Sequence, residues 1–513
     1  MKDNDETRIP VIVGVGQFND RPPRDTEGMD PLGLMMEALR RADRDAGGGW
    51  LSKIQSLGVV GQISYPEIKD SHLRLAEALG IQASFLDLTL PFGDTPVKLI
   101  NDAANLIGAG KIVIAAAVGA EALRTAAAKA LAQSSSGKRS SALKGVVQQQ
   151  SQSLMSKYGL ETPTDIYPLY ENSCRVAWGQ TLSEAQTESA VLWSALSKVA
   201  AVNPHAWLHT PLEPDEIIAQ TPQNRLIAYP YRKYMVANSA VNQGAAVIIT
   251  SLDEARRRGV PSDRLVYIGP GVAAHEPDNI LARYSYNDSP GMRVSIEKTL
   301  LLNDLTTADL DCVELYSCFP CITKMARRAL GWPLGKPSSV YGGLTFGGGP
   351  IGNCMMHAAA CMVEKIRHGA RRGLIFANGG YATHNHTIIL SRTLPKAHAF
   401  PQSYDYQKEA DSLRRPAPDF IEDYTGAGII ETYTVIYDRQ GAAMFGIVIA
   451  RTPDGGRFIC RVPKDDTEGI EFLASGNSEP IGTAGTAARA QNGYVVWKCQ
   501  APDCHAPAPG TKV

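Results

Sequence analysis

The sequence predicts an α/β protein built from two similar halves and followed by a small β-barrel. Three observations carry that reading. Buried strands alternate with amphipathic helices over about the first 400 residues, one loop-helix-strand module occurs twice, and after Asp411 the apolar pattern changes to period two.

Near the N-terminus PVIVGVG reads as a buried strand. It is followed by a helix from about Pro31 to Asp45, the strand SLGVVGQI, and a helix from about Ser71 to Gly80. Strands apolar at nearly every position suit a parallel or mixed sheet covered by helices on both faces. The module GDTPVKLINDAANLIGAG (Gly93 to Gly110) is a loop entering a helix, with the strand KIVIAAAVGAEA after it. GGPIGNCMMHAAACMVEKIRHG (Gly348 to Gly369) repeats the loop and helix and leads into RGLIFANGGYA, so that Ala103 and Ala104 align with Ala358 and Ala359. A repeat separated by about 255 residues implies two α/β halves around one core, residues 1–255 and 256–410.

The first half carries a less regular excursion, residues 123–232, which includes the serine-rich SSSGKRSS; its length suits a lid or substrate-covering insertion. VNQGAAVIITS (Val241 to Ser251) closes that half, and the polar run LDEARRRGVPSD marks its boundary. In residues 411–500, TYTVIYDRQGAAMFGIVIARTPDGGRFICRVP holds three short strands, and EPIGTAGTAARAQNGYVVWK adds two around an Asn-Gly turn. Five short antiparallel strands suit a closed barrel of the oligomer-binding (OB) type. The tail, residues 501–513, is expected to be disordered.

Composition excludes several functions. A formal net charge of −1 over 513 residues leaves no field to gather nucleic acid or an anionic membrane. Nine cysteines, irregularly spaced and partly inside apolar patterns, point to a reducing compartment. MKDNDETRIP lacks a secretory core, no stretch reaches the ~18 apolar residues of a membrane span, and TKV is no peroxisomal address. A cytoplasmic location is expected.

Tyr341 to Met362 holds six glycines and one proline ahead of a small-residue helix. Such a backbone either approaches a ligand closely or makes a tight turn between two buried elements.

The duplicated module, the closing strand, the element VELYSCFP and the loop GGLTFGGGP, in that order, resemble the thiolase superfamily from Arg8 to about Lys396. The chain is most similar to the sterol-carrier-protein-x-type, thiolase-like branch often labelled acetyl-CoA acetyltransferase, which includes members with an extra C-terminal barrel. The resemblance implies a duplicated five-layer αβαβα fold, an acyltransferase class of activity, a coenzyme A thioester as substrate or ligand with no tightly bound cofactor, and a possible homodimer. Carried over one at a time, the family's nucleophilic cysteine falls on Gly93 and the histidine of its Gly-His-Pro loop on Gly349. Its second cysteine falls near Ala377, and the Asn or His of its NEAF or HDCF element falls on Tyr316. None of the four keeps its residue. Claisen chemistry needs a thiolate, an imidazole and a second thiol, so an ordinary thiolase mechanism is excluded if the match holds. What remains is an acyl-CoA-binding enzyme without the usual nucleophile, an acyl-CoA retro-aldolase, which needs a base and an oxyanion donor but no acyl-enzyme, or a non-catalytic CoA or lipid carrier.

Five residues are expected to line one pocket between the halves. Asp94 is either an N-cap or a carboxylate base. Tyr316 is a hydrogen-bond donor, and Cys318 is a nucleophile or a packed thiol. His357 is a pocket base paired across the pseudo-twofold with Asp102, or a core histidine. Asn378 precedes Gly379 and Gly380, whose backbone can approach a carbonyl. Gly93, Tyr341, Gly348, Gly349 and His386 complete the binding candidates, with His384 on the rim. A metal site from His384 and His386 is not expected without carboxylates nearby, and Cys499, Cys504 and His505 form only a weak metal pattern.

Overall fold

The computed structural model describes residues 5–133, 154–394 and 400–499. The serine-rich run and the C-terminal tail, with Cys504 and His505, lie outside them.

The first half supplies strands β1 (Pro10–Asn19), β2 (Ser56–Val60), β3 (Phe85–Thr89), β4 (Ile114–Ala122), the short β5 (Leu226–Ala228) and β6 (Tyr231–Arg232), and β7 (Asn242–Ser251). The second supplies β8 (Val266–Ile268), β9 (Val272–His275), β10 (Cys312–Leu315), β11 (Arg372–Gly379) and β12 (His384–Ser391). Ten of these form one sheet in the order β3-β2-β4-β7-β1-β8-β12-β11-β10, with β9 also on β12. The halves meet where β1 and β8 pair antiparallel.

The duplication is visible in direction as well as order. β2 and β4 run parallel and β4 and β7 antiparallel; β10 and β11 run parallel and β11 and β12 antiparallel. The repeated helices, Thr95–Gly108 and Cys354–Arg367, pack on each other and on both halves of the sheet. Helices Pro31–Asp45 and Ser71–Leu79 cover the outer face of the first half, and Pro290–Leu302 with Gln407–Leu413 cover that of the second. This is the five-layer α/β arrangement. Its middle layer is buried along one broad face, where Val97, Leu99, Ile100, Ala104 and Ile107 share a core with Met356, Ala359, Cys361 and Val363, while Lys98 and Asp102 lie on the partly exposed side. Each large aliphatic side chain there contributes about 1.5–3 kcal/mol of burial.

The C-terminal strands β13 (Gly426–Tyr437), β14 (Ala443–Arg451), β15 (Arg457–Pro463), β16 (Ala484–Arg489) and β17 (Val495–Cys499) close in the ring β13-β14-β15-β17-β16-β13. One expectation is corrected here: β15 and β17 run parallel, because the helix Thr467–Ala474, which the sequence pattern did not reveal, carries the chain across the barrel between β15 and β16.

The insertion is more regular than its sequence suggests. Helices Pro163–Ala177 and Leu182–Val202 dominate its described part, the second opened by a capping box in which Thr181 and Glu184 satisfy each other's backbone N–H. Rather than hanging free as a lid, it joins core to barrel. Thr432 Oγ1 donates to the Leu169 carbonyl at 2.6 Å, Asn172 Nδ2 donates to that of Tyr433 at 2.9 Å, and β5 pairs with β13. The buried Glu171 carboxylate takes Lys324 Nζ and the Tyr231 hydroxyl, so the ion pair ties the insertion to the helix Pro320–Leu330.

Candidate functional site

The loop before the helix Thr95–Gly108 comes against the C-terminal end of β11 and the residues after β10. A Cβ on Gly93 would collide with the Tyr316 hydroxyl and with the Asn378 carbonyl oxygen. The position where the resemblance puts a nucleophilic cysteine is therefore filled from outside by a tyrosine.

Asp94 is the next residue, 7% exposed, at the N-cap position of the helix. Its carboxylate caps nothing: no backbone N–H of the first turn donates to it, and Oδ1 is buried without a partner beside Gly379. Capping is thus ruled out as its role. Burial pushes its carboxyl up to about 6, against the smaller opposing pull of its own backbone N–H and of Lys98.

Tyr316 is buried, and burial, reinforced by the neighbouring thiols, holds its phenol far above the usual range; it bonds the Cys354 thiol. It is therefore a protonated donor at neutral pH. Cys318 is buried too, its thiol pushed up to about 12 by burial although it bonds Tyr167. A thiol in that state is not a nucleophile. Asn378 is fully buried; Nδ2 donates to the His384 carbonyl at 3.1 Å and to Asn385 Oδ1 at 3.0 Å, while Oδ1 is left over. Gly379 and Gly380 follow, and the Gly380 carbonyl accepts from the Tyr167 hydroxyl at 2.9 Å. Asp94, Tyr316, Asn378 and Gly379 are thus gathered around Gly93.

His357 is not with them. Its Nδ1 meets Gln17 Oε1 at 2.9 Å, its ring stacks on Tyr341 at 5.5 Å between centroids, and burial depresses its imidazole to about 3. The expected pairing with Asp102 does not form: Asp102 takes Lys98 Nζ and the Tyr404 hydroxyl, each at 2.6 Å. Tyr341 also faces inward, its hydroxyl donating to the Gly347 carbonyl at 2.6 Å and accepting from Gln243 Nε2 at 3.1 Å. Residues Tyr341 to Pro350 are all buried, and the glycines admit protein rather than leaving room for a ligand. Gly342, at a φ of 102°, lies against Ala200, Gly343 against Leu196 and Ser317, and Gly348 against Gln243.

The expectation that Gly93 and Gly349 line one cavity is corrected likewise. The two loops touch where Gly352 lies against Pro91, but Gly349 faces the Asn238 and Leu344 carbonyls, 3.3 Å from where its Cβ would stand.

His386 is buried next to Tyr404, Nε2 without a partner, its imidazole depressed to about 3 by burial. His384 stacks on Phe92 and meets His275 across their Nδ1 atoms at 2.7 Å. Among the described residues no group of three or more His, Cys, Asp or Glu can hold a metal ion. Sequence reasoning missed Tyr167, Cys354 and Gln17. Cys354 opens a helix already singled out, whereas Tyr167 sits in the insertion, where no motif marks it.

Residues 406–491 match the family model of the additional C-terminal domain of thiolase-like protein type 1. A monomeric SCP2-thiolase like protein type 1 from Mycobacterium smegmatis superposes with a TM-score of 0.79 at 28% identity, over 96% of this chain and 100% of that one. The chain is a thiolase-like protein with an additional C-terminal domain. More distant structures share the fold. An Ltp2-ChsH2(DUF35) aldolase gives 0.58 at 19% identity, over 76% of this chain and 100% of that one. Human mitochondrial 3-ketoacyl-CoA thiolase in complex with CoA gives 0.55 at 15%, over 76% and 99%. No curated protein matches by sequence.

Proposed function

We propose that this thiolase-like protein acts on an acyl-CoA thioester by acid-base chemistry of the retro-aldol type, without an acyl-enzyme. One observation carries the reading: the nucleophile's position is closed by Tyr316, while Oδ1 of the adjacent buried Asp94 carboxylate has no partner. A base whose carboxyl titrates at about 6 is ionised at neutral pH yet basic enough to be useful. On a 3-hydroxyacyl-CoA, Asp94 takes the hydroxyl proton, the C2–C3 bond breaks, and a ketone or aldehyde leaves. The electron pair passes to the thioester as an enolate, which is reprotonated at C2. In this reading the Tyr316 hydroxyl turns from the Cys354 thiol to donate to the thioester oxygen, and Asn378 Oδ1, which has no partner, serves as an acceptor. Coenzyme A as the carrier group, and aldol chemistry on this fold, are supported by the CoA complex and the aldolase among the structural relatives.

The test is incubation with 3-hydroxyacyl-CoA thioesters, following release of carbonyl compound and shortened acyl-CoA. Asp94→Asn should lower that rate by about 10²–10⁴-fold. Thiolysis of 3-ketoacyl-CoA by the wild type would sink the reading.

A second reading, a carrier that binds acyl-CoA without turning it over, is favoured by the absence of a thiol at position 93 and by the burial that keeps the Cys318 thiol protonated. Tight CoA binding with no turnover across the panel would select it. The homodimer expected from the resemblance draws no support from the Mycobacterium smegmatis relative, which is described as monomeric. No described helix is long and apolar enough to cross a membrane, which accords with the cytoplasmic location we propose.

A further inference from the structure

The barrel reaches the candidate site through two buried arginines. Arg457 on β15 is fully buried, its guanidinium held by Glu431 at 2.8 Å through Nε and 2.6 Å through Nη2. The remaining donors leave the barrel: Nη1 donates to the carbonyls of Leu281, at 2.8 Å, and of Arg283, and Nη2 to that of Tyr284 at 3.1 Å. A guanidinium is expensive to bury, and one placed so that three of its bonds fix the backbone of another segment sets that segment's position.

That segment presents Arg283, 4% exposed. Its Nη1 donates to the Tyr170 hydroxyl, Nη2 to Thr383 Oγ1 at 2.8 Å, and Nε and Nη2 to the Pro277 carbonyl at 3.1 and 3.0 Å. Tyr170 in turn donates to the Tyr381 carbonyl at 2.9 Å, while Tyr167 donates to that of Gly380 and accepts from the Ala382 N–H at 3.2 Å. Every residue from Gly380 to Thr383 is thereby gripped from the insertion or from the Arg283 segment. This turn follows Asn378 and Gly379 directly, and Ala382 sits in it at a φ of 59°, a conformation unfavourable for a residue with a Cβ that the grip must hold.

We propose that the C-terminal barrel is a positioning element for the candidate site, with Arg457 and Arg283 as positioning residues that hold the Gly380–Thr383 turn and so keep Asn378 and Gly379 against Gly93 and Asp94. Its purpose rests on the site proposed above, but the linkage can be read with no substrate present, so its failure and that of the acid-base reading are separate results.

The experiment is hydrogen-deuterium exchange of the full chain. Arg457→Met should speed exchange of the Gly379–Thr383 amides by about tenfold or more while those of β7 keep their wild-type rates. At the other end, Thr383→Val should speed the same amides and leave the barrel unchanged, whereas Thr383→Ser, which keeps the hydroxyl, should restore protection. If Arg457→Met fails to fold, Arg457→Lys, with its charge retained and fewer donors, takes its place. Wild-type exchange at Gly379–Thr383 in the Arg457 variant, or no difference between Thr383→Val and Thr383→Ser, overturns the proposal.

Discussion

The molecule has two buried polar clusters at the entries of its two repeated helices, and they are finished differently. Around His357, Nδ1 is taken by Gln17 and the ring by Tyr341, whose hydroxyl closes on its own loop, and only the imidazole Nε2 is left without a partner. Around Gly93, one carboxylate oxygen of Asp94 and the amide oxygen of Asn378 are buried with nothing to bond. Leaving a buried polar atom unmade costs about 1–3 kcal/mol, and what the two clusters leave unmade differs: an imidazole nitrogen in one, a carboxylate oxygen together with an amide oxygen in the other. The pseudo-symmetric halves thus differ in the group left unpartnered: an imidazole whose protonation burial disfavours in the second, and in the first a carboxylate, the group to which we assign the chemistry.

Four substitutions test that contrast, the largest effect first. Gly93→Cys, which reinstates the family's nucleophile, should destabilise the fold by about 3 kcal/mol or more, because its Cβ collides with a backbone carbonyl that cannot rotate away. Urea unfolding with a wild-type midpoint would show that the position is open after all. His357→Ala should cost about 2–3 kcal/mol through a cavity and the loss of the Gln17 bond, which leaves the Gln17 side chain only the Cys361 thiol. If thermal unfolding is unchanged while turnover vanishes, His357 belongs to the chemistry and the contrast fails.

Asp94→Asn should act in the opposite direction and only at higher pH. The folded carboxyl binds its proton more tightly than the unfolded one, at about 6 against 3.8, so its contribution to stability is present below 3.8 and lost as pH rises through about 6. The variant should therefore match the wild type near pH 3.5 and exceed it by up to about 3 kcal/mol at pH 8. Parallel stability-pH curves for the two proteins would mean that Asp94 has a partner in solution. Tyr316→Phe is the mildest, about 1 kcal/mol, since only the bond with Cys354 is lost. A loss several times larger would make the hydroxyl a structural keystone instead of a donor held for a ligand.

Much of the architecture was legible in the chain. The helix predicted from Pro31 to Asp45 is observed over that span, the strand predicted to close the first half is β7, and the repeat aligned by Ala103 and Ala358 became the paired middle-layer helices. Periodicity and glycine punctuation report local burial, and these elements are buried by their own neighbours. The site was legible only in part. Asp94 and Asn378 sit at loop ends that the repeat marks, and Tyr316 was singled out by the resemblance of VELYSCFP; the structure brings the three together around Gly93. His357 stayed open between pocket base and core histidine because a buried histidine looks the same from its own helix whether it faces a ligand or Gln17, which is 340 residues away.

By itself, then, the sequence determined the two-half α/β core, the five-stranded barrel and the absence of a thiol at position 93, all of which follow from pattern and residue identity. Only the tertiary structure decided that the vacancy at Gly93 is filled by Tyr316, that Asp94 does not cap its helix, and that the barrel is wired to the Gly380–Thr383 turn through Arg457 and Arg283. Those are contacts between residues far apart in the chain, and which side chain takes up a buried group's last hydrogen bond is set by packing geometry that no local pattern encodes.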